Sequence, residues 1–248
     1  MGGIVTVQAR GDIALVRLDR PPANAMDLEL LAAGHAVLDE VADAGAVVLT
    51  GREGFFSAGV DLKLAPTLDA DGQREMVDGI NRLFAGWYAL PRPLVCAVNG
   101  HAIAGGLILA LCGDVRVGVE SGAKLGLTEL KAGIPYPAVA LAVTRAELTP
   151  AAVRQLALRA HLVDPAEALR LGVLDELAPA AGVLDAALAR AEELAALPRG
   201  AYATVKRQVR GPAIEGMQAL LSGGDDPMLA AWLGDETAAA SRAILERG

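Results

Sequence analysis

The stretch Asn-Gly-His-Ala-Ile-Ala-Gly-Gly at residues 99–106 connects a short apolar run, Leu94–Val98, to a second apolar run that reaches Cys112. A similar turn, Phe-Ser-Ala-Gly-Val-Asp-Leu at residues 56–62, follows the apolar run Ala46–Thr50. Glycine lets a chain turn sharply and lets backbone atoms approach a neighbour closely. Short apolar runs followed by glycine turns and helical patterns predict buried strands that alternate with helices, which is typical of a layered α/β fold.

The predicted elements around these turns follow from apolar periodicity and from the positions of glycine and proline. A hairpin opens the chain, and strands and helices then alternate. The predicted strands are residues 4–8, 12–19, 46–50, 94–98 and 114–119, and the predicted helices are residues 27–43, 69–89 and 105–112.

The C-terminal part is predicted to be mostly helical. A capping side chain before a proline marks a helix start at three places: Thr149-Pro150, Asp164-Pro165 and Asp226-Pro227. The last helix is predicted over residues 227–246, after the Gly223-Gly224 pair. We expect this tail to be a hinged or partner-packed element.

Length and composition favour one large domain with a sizeable core. The chain has 248 residues, of which 53% are hydrophobic and 3% aromatic. An excess of Ala, Leu and Val over the needs of a monomer surface predicts contacts between subunits. A formal net charge of −8 and a pI near 4.9 argue against a nucleic-acid partner, which requires a clustered basic face.

The two cysteines and the N-terminal residues predict a cellular compartment. Cys96 and Cys112 lie in apolar runs, so we expect buried free thiols, as in a reducing cytoplasm, and no disulfide. The start of the chain has no basic segment followed by an apolar stretch, and no apolar run reaches membrane-spanning length. We therefore expect a soluble, unprocessed, cytoplasmic protein with no membrane partner.

The two glycine turns together favour an oxyanion-binding site. Small residues expose backbone N–H groups, and two such groups can stabilise the negative charge that develops on a carbonyl oxygen. Glycines serve equally well in tight packing turns between a strand and a helix. For the turn at residues 104–106 alone both interpretations stay open, and the presence of the second turn favours the oxyanion site.

Glu129 is the candidate general base. It lies in Gly-Leu-Thr-Glu-Leu at residues 126–130, and apolar surroundings raise the pKa of a carboxyl group toward neutrality. The alternative is a partly exposed glutamate, or one paired with Lys124 or Lys131. From the sequence alone this alternative is the commoner outcome for such a residue.

Other kinds of site have little support. His35, His101 and His161 do not have the spacing of metal ligands, so no metal site is expected. Asp61 is predicted to cap the helix after the first turn, and Asn24 to organise the loop after the hairpin. The sequence has no phosphate-binding loop, no dinucleotide-binding Gly-x-Gly-x-x-Gly turn after a strand and no Gly-x-Ser-x-Gly nucleophile elbow.

Several motifs, in order and with matching spacing, make the chain resemble the enoyl-CoA hydratase/isomerase (crotonase) superfamily over nearly its whole length. The motifs are Asp19-Arg20-Pro21 with Asn24-Ala25, residues 56–62, Asn99-Gly100 with Ala104-Gly105-Gly106, Cys112-Gly113-Asp114, and residues 164–169 with 171–176. The local sequences at 126–129, 133–134 and 165–169 look most like the mitochondrial-type Δ3,Δ2-enoyl-CoA isomerases.

The resemblance implies a fold, an assembly and a substrate. The fold would be an α/β spiral of repeated ββα units over residues 1–195, followed by a C-terminal helical region, residues 196–248, that packs a homotrimer or a dimer of trimers. The substrate would be an acyl-CoA thioester. No separate cofactor is implied, because coenzyme A is part of the substrate.

The resemblance also assigns roles to residues by position. The oxyanion donors fall on the N–H groups of Val60 and Gly105, and the base falls on Glu129. The residues expected along the coenzyme A path are Ala23, Ala25, Met26, Ser57 and Ala58. The residues expected around the acyl chain are Leu107, Ile108 and Tyr136.

One position departs from the hydratases of this family, which use two glutamates to position and deprotonate water. The second aligns with Glu129, and the first belongs three residues after the oxyanion glycine, where this chain has Ile108. Isoleucine can neither accept a proton nor orient water, so hydration of a 2-enoyl thioester is expected to be severely impaired. An isomerase needs one base only.

The sequence therefore favours a Δ3,Δ2-enoyl-CoA isomerase of fatty acid metabolism. Two alternatives remain: a weak or atypical enoyl-CoA hydratase, and a non-catalytic acyl-CoA binding protein.

Overall fold

The computed structural model of the protein describes residues 3–234 together with residues 237 and 239. The strands are β1 (Val5–Arg10), β2 (Ile13–Leu18), β3 (Ala25–Met26), β4 (Ala46–Thr50), β5 (Gly54–Ser57), β6 (Gly59–Val60), β7 (Leu94–Val98), β8 (Gly100–Ile103), β9 (Val115–Val119), β10 (Leu125–Gly126), β11 (Leu162–Val163) and β12 (Glu176–Ala178). The helices are α1 (Leu28–Glu40), α2 (Ala70–Ala89), α3 (Gly105–Leu111), α4 (Ala138–Glu147), α5 (Pro150–Val153), α6 (Pro165–Arg170), α7 (Val183–Ala195), α8 (Arg199–Ser222) and α9 (Leu229–Trp232).

Helices α1 and α2 begin where capping aspartates precede their apolar faces. Asp27 accepts a hydrogen bond from the N–H of Leu30 (2.8 Å), and Asp69 accepts one from the N–H of Gly72 (2.9 Å). Each carboxylate satisfies an N–H group that has no partner within the helix. The predicted starts of both helices are confirmed, and α1 ends at Glu40, three residues before the predicted end.

Within the described residues, the strands form three sheets. The six-stranded sheet has the order β1-β2-β4-β7-β9-β12, in which the β1–β2 hairpin is antiparallel and the other pairs are parallel. The four-stranded sheet has the order β11-β10-β8-β5, and β3 pairs with β6 in a third, two-stranded sheet. The hairpin predicted at the start of the chain is confirmed.

The chain repeats a ββα unit. Strands β4 and β5 are followed by α2, strands β7 and β8 by α3, and strands β9 and β10 by α4. The first strand of each unit joins the six-stranded sheet, and the second joins the four-stranded sheet beside its predecessor. Since successive units add neighbouring strands to both sheets, the chain forms a spiral, and the predicted fold class is confirmed.

The core lies where the central strands are covered on both faces. All residues of β4 and β7 are buried, as expected for parallel strands between two layers. Helix α7 packs across β2, β4, β7 and β9. The predicted boundary between residues 195 and 196 falls at the end of α7, just before α8.

The helix starts predicted at prolines are confirmed at two places and wrong at the third. Thr149 and Asp164 each cap a helix that begins with the following proline. Helix α9 begins at Leu229, two residues later than predicted, with Met228 as its N-cap. Asp226 Oδ1 accepts from the N–H of Met228 (2.7 Å), and Oδ2 is bound by other parts of the chain, as described below. Half of the helix predicted over residues 227–246 lies outside the described residues.

Buried ion pairs connect helix α8 to residues just before β9 and at the end of α4. Lys206 Nζ lies 2.7 Å from Asp114 Oδ2, and Arg210 lies 3.3 Å from both Asp114 Oδ1 and Glu147 Oε1. The Arg210 guanidinium also donates to the carbonyl of Cys112 (2.8 Å). Charges removed from water are tolerated when partners and hydrogen bonds replace the lost hydration. This cluster of Asp114, Glu147, Lys206 and Arg210 therefore docks the helix through its long side chains.

Both cysteines are free and buried, as predicted. Burial raises the pKa of the Cys96 thiol to about 12. Among the helices that the structure describes, none combines the length and the apolar character that crossing a bilayer requires.

Candidate active site

Strands β3 and β6 bring the loop after the hairpin against the first glycine turn. Their register places Ala25 opposite Gly59 and Met26 opposite Val60. The N–H of Asp61 donates to the carbonyl of Met26 (3.0 Å), and the N–H of Ala58 donates to the carbonyl of Ala23 (3.0 Å). Because N–H groups alternate in direction along a strand, the N–H of Val60 points away from β3.

Asn24 organises this loop from inside the protein. It is fully buried and has a φ of +51°, a conformation that asparagine tolerates better than most residues. Its side-chain amide donates to the carbonyls of Leu18 (3.1 Å), Phe55 (3.3 Å) and Phe56 (3.0 Å), and its Oδ1 accepts from the N–H of Arg20 (2.7 Å). The organising role predicted for Asn24 is confirmed.

Ser57 links the loop to the turn. Its hydroxyl donates to the carbonyl of Asn24 (2.7 Å) and accepts from the N–H of Gly59 (3.1 Å). The Asp61 carboxylate accepts from the N–H groups of Lys63 (3.0 Å) and Leu64 (3.3 Å). Asp61 therefore closes a local turn, and the prediction that it caps the following helix is wrong, because Asp69 caps α2.

The two glycine turns touch each other. A Cβ on Gly59 would lie 2.9 Å from the nitrogen of Gly105 and 2.8 Å from the carbonyl oxygen of Ile103, and Gly59 has a φ of +80°. A Cβ on Gly106 would overlap the carbonyl of Ser57. Glycine is required at positions 59 and 106 because the backbones approach more closely than a side chain permits.

Ala104 directs the start of α3 through an unusual backbone conformation. It has a φ of +53° and a ψ of −127°, a combination that costs a non-glycine residue on the order of 1–3 kcal/mol. Such strain persists where the surrounding structure enforces it, commonly at functional sites. The N–H of Ala104 donates to the carbonyl of Gly126 (2.8 Å), which holds the strained residue in place and leaves Gly105 as the first residue of the helix.

Strand β10 carries Glu129 to the same place. Gly126 pairs in parallel with Ile103, the residue before Ala104. Three residues later Glu129 begins a 3₁₀ turn, Glu129–Ala132, and its carbonyl accepts from the N–H of Ile134 (3.0 Å). The chain thus delivers one carboxyl group beside the Ala104-Gly105 turn.

Glu129 is buried and forms no ion pair with any described residue. It is 7% exposed, and Lys124 and Lys131, its possible partners by sequence, are both exposed. Burial raises the pKa of Glu129 to about 7, and its own backbone N–H and the nearby Tyr136 hydroxyl lower that pKa in part. The carboxyl group is therefore suited to take up and release a proton near neutral pH.

Tyr136 lies beside this carboxyl group. Glu129 Oε2 and the Tyr136 hydroxyl are buried and lie near each other, and among the described residues neither atom forms a hydrogen bond of good geometry. Burial, and then the charge of Glu129, raise the pKa of Tyr136 well above its ordinary value. Buried polar atoms without partners are rare in folded proteins and point to a site that receives a ligand or water.

The turns and the carboxyl group open into one apolar cavity of about 70 Å³. Its polar side is formed by the backbones of the two glycine turns and by Glu129, and the rest is mainly hydrophobic. The lining residues are Ala58, Val60, Leu62, Ile80, Phe84, Ala104, Gly105, Ile108, Thr128, Glu129, Ala132, Ile134, Pro137, Ala140 and Trp232. An apolar cavity with a few convergent polar groups is the usual form of a small-molecule site.

The sequence model for enoyl-CoA hydratase/isomerase matches residues 8–223 of this chain. The chain belongs to the enoyl-CoA hydratase/isomerase family. A Thermus thermophilus protein named as an enoyl-CoA hydratase is 39% identical over 193 residues, which cover 75% of this chain and 76% of that protein. The protein is accordingly an enzyme of this acyl-CoA family.

Solved structures of the family have the same fold. A Mycobacterium tuberculosis enoyl-CoA isomerase superimposes with a TM-score of 0.84 at 31% identity, covering 93% of this chain and 99% of that one. The human mitochondrial Δ3,Δ2-enoyl-CoA isomerase superimposes with a TM-score of 0.90 at 26% identity, covering 98% and 97% of the two chains. Relatives are thus named for both activities of the enoyl-CoA hydratase/isomerase family.

In this family member the cavity brings together five of the residues predicted for the site: Ala58, Val60, Gly105, Ile108 and Glu129. The other predicted residues are not among those that line it: Ala23, Ala25, Met26, Ser57, Leu107 and Tyr136. Met26 packs behind Gly105, with its sulfur 3.3 Å from the position of a Cβ there. Leu107 is fully buried and is not among the lining residues.

Most of the hydrophobic wall of the cavity is not among the residues predicted from the sequence. Ile80 and Phe84 come from α2, Pro137 and Ala140 from the start of α4, and Trp232 from α9. The helical periodicity of α2 identifies Ile80 and Phe84 as buried, one turn apart on the same face. It does not indicate that this face closes a cavity. The sequence around Trp232 gives even less indication of a place in the cavity, because the residue lies in a short helix that follows the glycine pair at residues 223–224.

Proposed function

We propose that this protein is a Δ3,Δ2-enoyl-CoA isomerase, which converts a 3-enoyl-CoA to the trans-2-enoyl-CoA. The observation that carries the proposal is the composition of the cavity wall. Among the described residues that line it, Glu129 alone has a carboxyl group, and Ile108 occupies the position where a hydratase of the family has its other glutamate. One carboxylate is sufficient to move a proton between two carbons of the same substrate.

The proposed reaction starts with ionised Glu129. Its carboxylate takes a proton from C2 of the 3-enoyl thioester, and the electron pair of the broken C–H bond passes into the thioester as an enolate. The protonated Glu129 then returns the proton at C4, and the double bond moves between C2 and C3. The base is regenerated, no atom is gained or lost, and no cofactor beyond the coenzyme A of the substrate takes part.

The N–H groups of Val60 and Gly105 are proposed to donate to the thioester oxygen. The enolate carries its negative charge on that oxygen, so donors fixed in position stabilise the intermediate more than the substrate. Loss of one such donor typically costs about 2.7–4 kcal/mol in activation free energy. The contact between Gly59 and Gly105 and the enforced conformation of Ala104 support this role, because they fix both turns before the substrate binds.

Coenzyme A is proposed to run past the loop that holds Ala23, Ala25 and Met26 and past Ser57 and Ala58. These segments are tied together by β3 and β6 at the edge of the cavity. The acyl chain would then occupy the apolar part of the cavity.

The assembly is proposed to be a homotrimer or a dimer of trimers that uses the C-terminal helical region. Val205 and Val209, four residues apart on α8, are 55% and 76% exposed, which supports an interface on this face of the helix. A cytoplasmic location is proposed because both cysteines are free thiols.

Hydration is the second candidate, favoured by the name of the Thermus thermophilus relative. The test supplies the wild-type protein with a 3-enoyl-CoA and, separately, with a 2-enoyl-CoA. Formation of the conjugated product is followed by ultraviolet absorbance, and 3-hydroxyacyl-CoA by chromatography. We expect isomerisation and negligible hydration.

Rapid hydration with no isomerisation would replace the proposal by the second candidate. A non-catalytic acyl-CoA binding protein would bind both thioesters and exchange no C2 proton for deuterium in heavy water.

A further inference from the structure

The segment after α8 closes one side of the cavity. Helix α9 places Trp232 in the cavity wall, where the residue is 4% exposed. The wall beside it comes from α2 and from the start of α4, through Ile80, Phe84, Pro137 and Ala140. The polar groups come from other elements, so Trp232 belongs to the hydrophobic side of the cavity.

A buried carboxylate anchors this segment upstream of Trp232. Asp226 is 7% exposed, and its Oδ2 accepts from the side-chain amide of Asn81 (2.7 Å) and from the N–H of Ala138 (2.7 Å). Its Oδ1 accepts from the N–H of Met228 (2.7 Å). Asn81 follows Ile80 in α2, and Ala138 follows Pro137 at the start of α4. Asp226 therefore ties the segment to both helices that supply the neighbouring wall.

A second anchor lies downstream of Trp232. The hydroxyl of Thr237 lies within hydrogen-bond distance of two carbonyl oxygens, those of Gly133 (2.8 Å) and Ala231 (3.0 Å), and its one proton is shared between them. Gly133 ends the 3₁₀ turn that begins with Glu129. Trp232 is thus held from both sides, and one of its anchors is the turn that carries the proposed base.

We propose that Trp232 sets the limit on acyl-chain length, that Asp226 is the positioning residue that holds it, and that the enzyme prefers short-chain enoyl thioesters. The inference rests on the proposed function, because it places the reacting carbons beside Glu129. An acyl chain that continues beyond those carbons extends along the hydrophobic side of the cavity, where the indole ring occupies space.

The size of the cavity agrees with a short chain. Its volume of about 70 Å³ is roughly half that of a cavity of about 150 Å³ that binds benzene. Protein interiors are packed too densely for a long chain to enter without displacing a wall residue. The wall residue with the largest side chain is Trp232, and it belongs to a short segment after the glycine pair at residues 223–224.

The test measures binding of saturated acyl-CoAs, so it does not depend on turnover. The dissociation constants of butanoyl-CoA and dodecanoyl-CoA are measured by calorimetry for the wild type, W232A and the matched control L233A. Leu233 is the next residue in the chain and is 38% exposed. Each additional buried methylene strengthens binding about fourfold. We expect W232A to shift the affinity ratio toward dodecanoyl-CoA by at least about tenfold, and L233A to leave the ratio unchanged.

An unchanged affinity ratio in W232A would overturn the proposal, as would an equal shift of the ratio in L233A.

A second measurement covers the case in which W232A folds poorly. The chain has two tryptophans, so the difference in fluorescence between the wild type and W232F reports on Trp232. Butanoyl-CoA is expected to change the emission of the wild type and not that of W232F. An equal change in both proteins would exclude contact between the acyl chain and Trp232.

D226N tests the positioning role. In the wild type, both carboxylate oxygens of Asp226 accept hydrogen bonds. An asparagine side chain has one acceptor oxygen, and its NH₂ group would replace the other oxygen opposite a hydrogen-bond donor. We expect the affinity ratio in D226N to shift toward dodecanoyl-CoA, as in W232A. A lowered thermal stability without that shift would mean that Asp226 stabilises the fold and does not position Trp232.

The two proposals can fail separately. An altered affinity ratio in W232A, in a protein without isomerase activity, would overturn the proposed reaction but not the role of Trp232. Normal isomerase activity in the wild type, together with an affinity ratio in W232A equal to that of the wild type, would support the proposed reaction and overturn the role of Trp232.

Discussion

Ile108 and Glu129 line the same cavity, so an aliphatic side chain and a single carboxyl group bound the space in which the substrate is proposed to react. Both residues are buried, at 1% and 7% exposure. The aliphatic side chain provides no second proton acceptor, and burial of the carboxyl group raises its pKa. Under the proposed function, the absence of a second acceptor is expected to limit the addition of water to a 2-enoyl-CoA.

The first prediction concerns the proposed base. E129Q keeps the size and polarity of the side chain but cannot accept a proton. Since general base catalysis typically contributes 10²- to 10⁴-fold, we expect isomerase kcat to fall by at least about 10², with acyl-CoA affinity nearly unchanged. The rate is measured by the absorbance of the conjugated product. Equal rates in wild type and variant would exclude Glu129 as the base.

The second prediction concerns pH. Only ionised Glu129 can take a proton from C2, and its pKa is raised to about 7. We therefore expect kcat/KM to rise with pH through about 7 and to level off above it, and the profile is measured with a fixed 3-enoyl-CoA. A midpoint close to the ordinary glutamate pKa of 4.5 would mean that Glu129 is hydrated in solution.

Stability is expected to change in the opposite direction. The folded protein binds the Glu129 proton more tightly than the unfolded chain does, so stability is lost as pH rises from 4.5 to above 7. The loss is at most about 3 kcal/mol. E129Q has no such proton, so in urea titrations it is expected to gain stability relative to the wild type between about pH 5 and pH 9.

The third prediction concerns the missing second carboxylate. I108E introduces a group that can orient and deprotonate water, so we expect hydration of a 2-enoyl-CoA to exceed that of the wild type by at least about tenfold. A second carboxyl group in this cavity raises the pKa of the pair, so the gain is expected at alkaline pH. I108Q is the matched control, since it can orient water but cannot accept its proton. Hydration by I108Q equal to that of I108E would contradict the proposed role of charge.

The fourth prediction concerns Tyr136. Its hydroxyl lowers the pKa of Glu129, so Y136F is expected to move the rising limb of the kcat/KM profile to higher pH and to leave the alkaline plateau largely intact. Y202F is the control, because Tyr202 lies on α8 near Asp114 and not near Glu129. A loss of rate at all pH values without a shift would indicate that Tyr136 acts on the substrate and not on the base.

Strands and helix starts could be predicted from sequence where the cause is local. The run Ala46–Thr50 is buried along its whole length, and Asp27 and Asp69 cap the helices that follow them. The regions around Gly59 and Gly105 could be predicted from their glycine turns and spacing, because the cause is again local. Where close backbone contact requires a glycine, the requirement is visible in the sequence as the glycine itself.

Features that depend on distant contacts could not be predicted in this way. Nothing near Glu129 in the sequence excludes a pair with Lys124 or Lys131, and only the fold turns those lysines toward solvent. Asp226 has the local pattern of a helix cap, yet its carboxylate binds groups from α2 and α4. Trp232 lines the cavity beside residues of α2 and α4 that are distant from it in the sequence, and no local pattern predicts this contact.

The last prediction concerns the cluster that docks α8. Asp114 lies between Lys206 and Arg210, whose side chains are 6% and 8% exposed. D114N removes the negative charge, which leaves Arg210 with Glu147 as its ion-pair partner and Lys206 without a carboxylate partner among the described residues. Removing one member of a buried ion pair costs roughly 3–5 kcal/mol, so urea unfolding is expected to show a loss of that order. D12N, which removes the exposed pair between Asp12 and Arg199, is the control and is expected to change stability little. Equal effects of the two substitutions would mean that α8 is held by apolar packing and not by its buried charges.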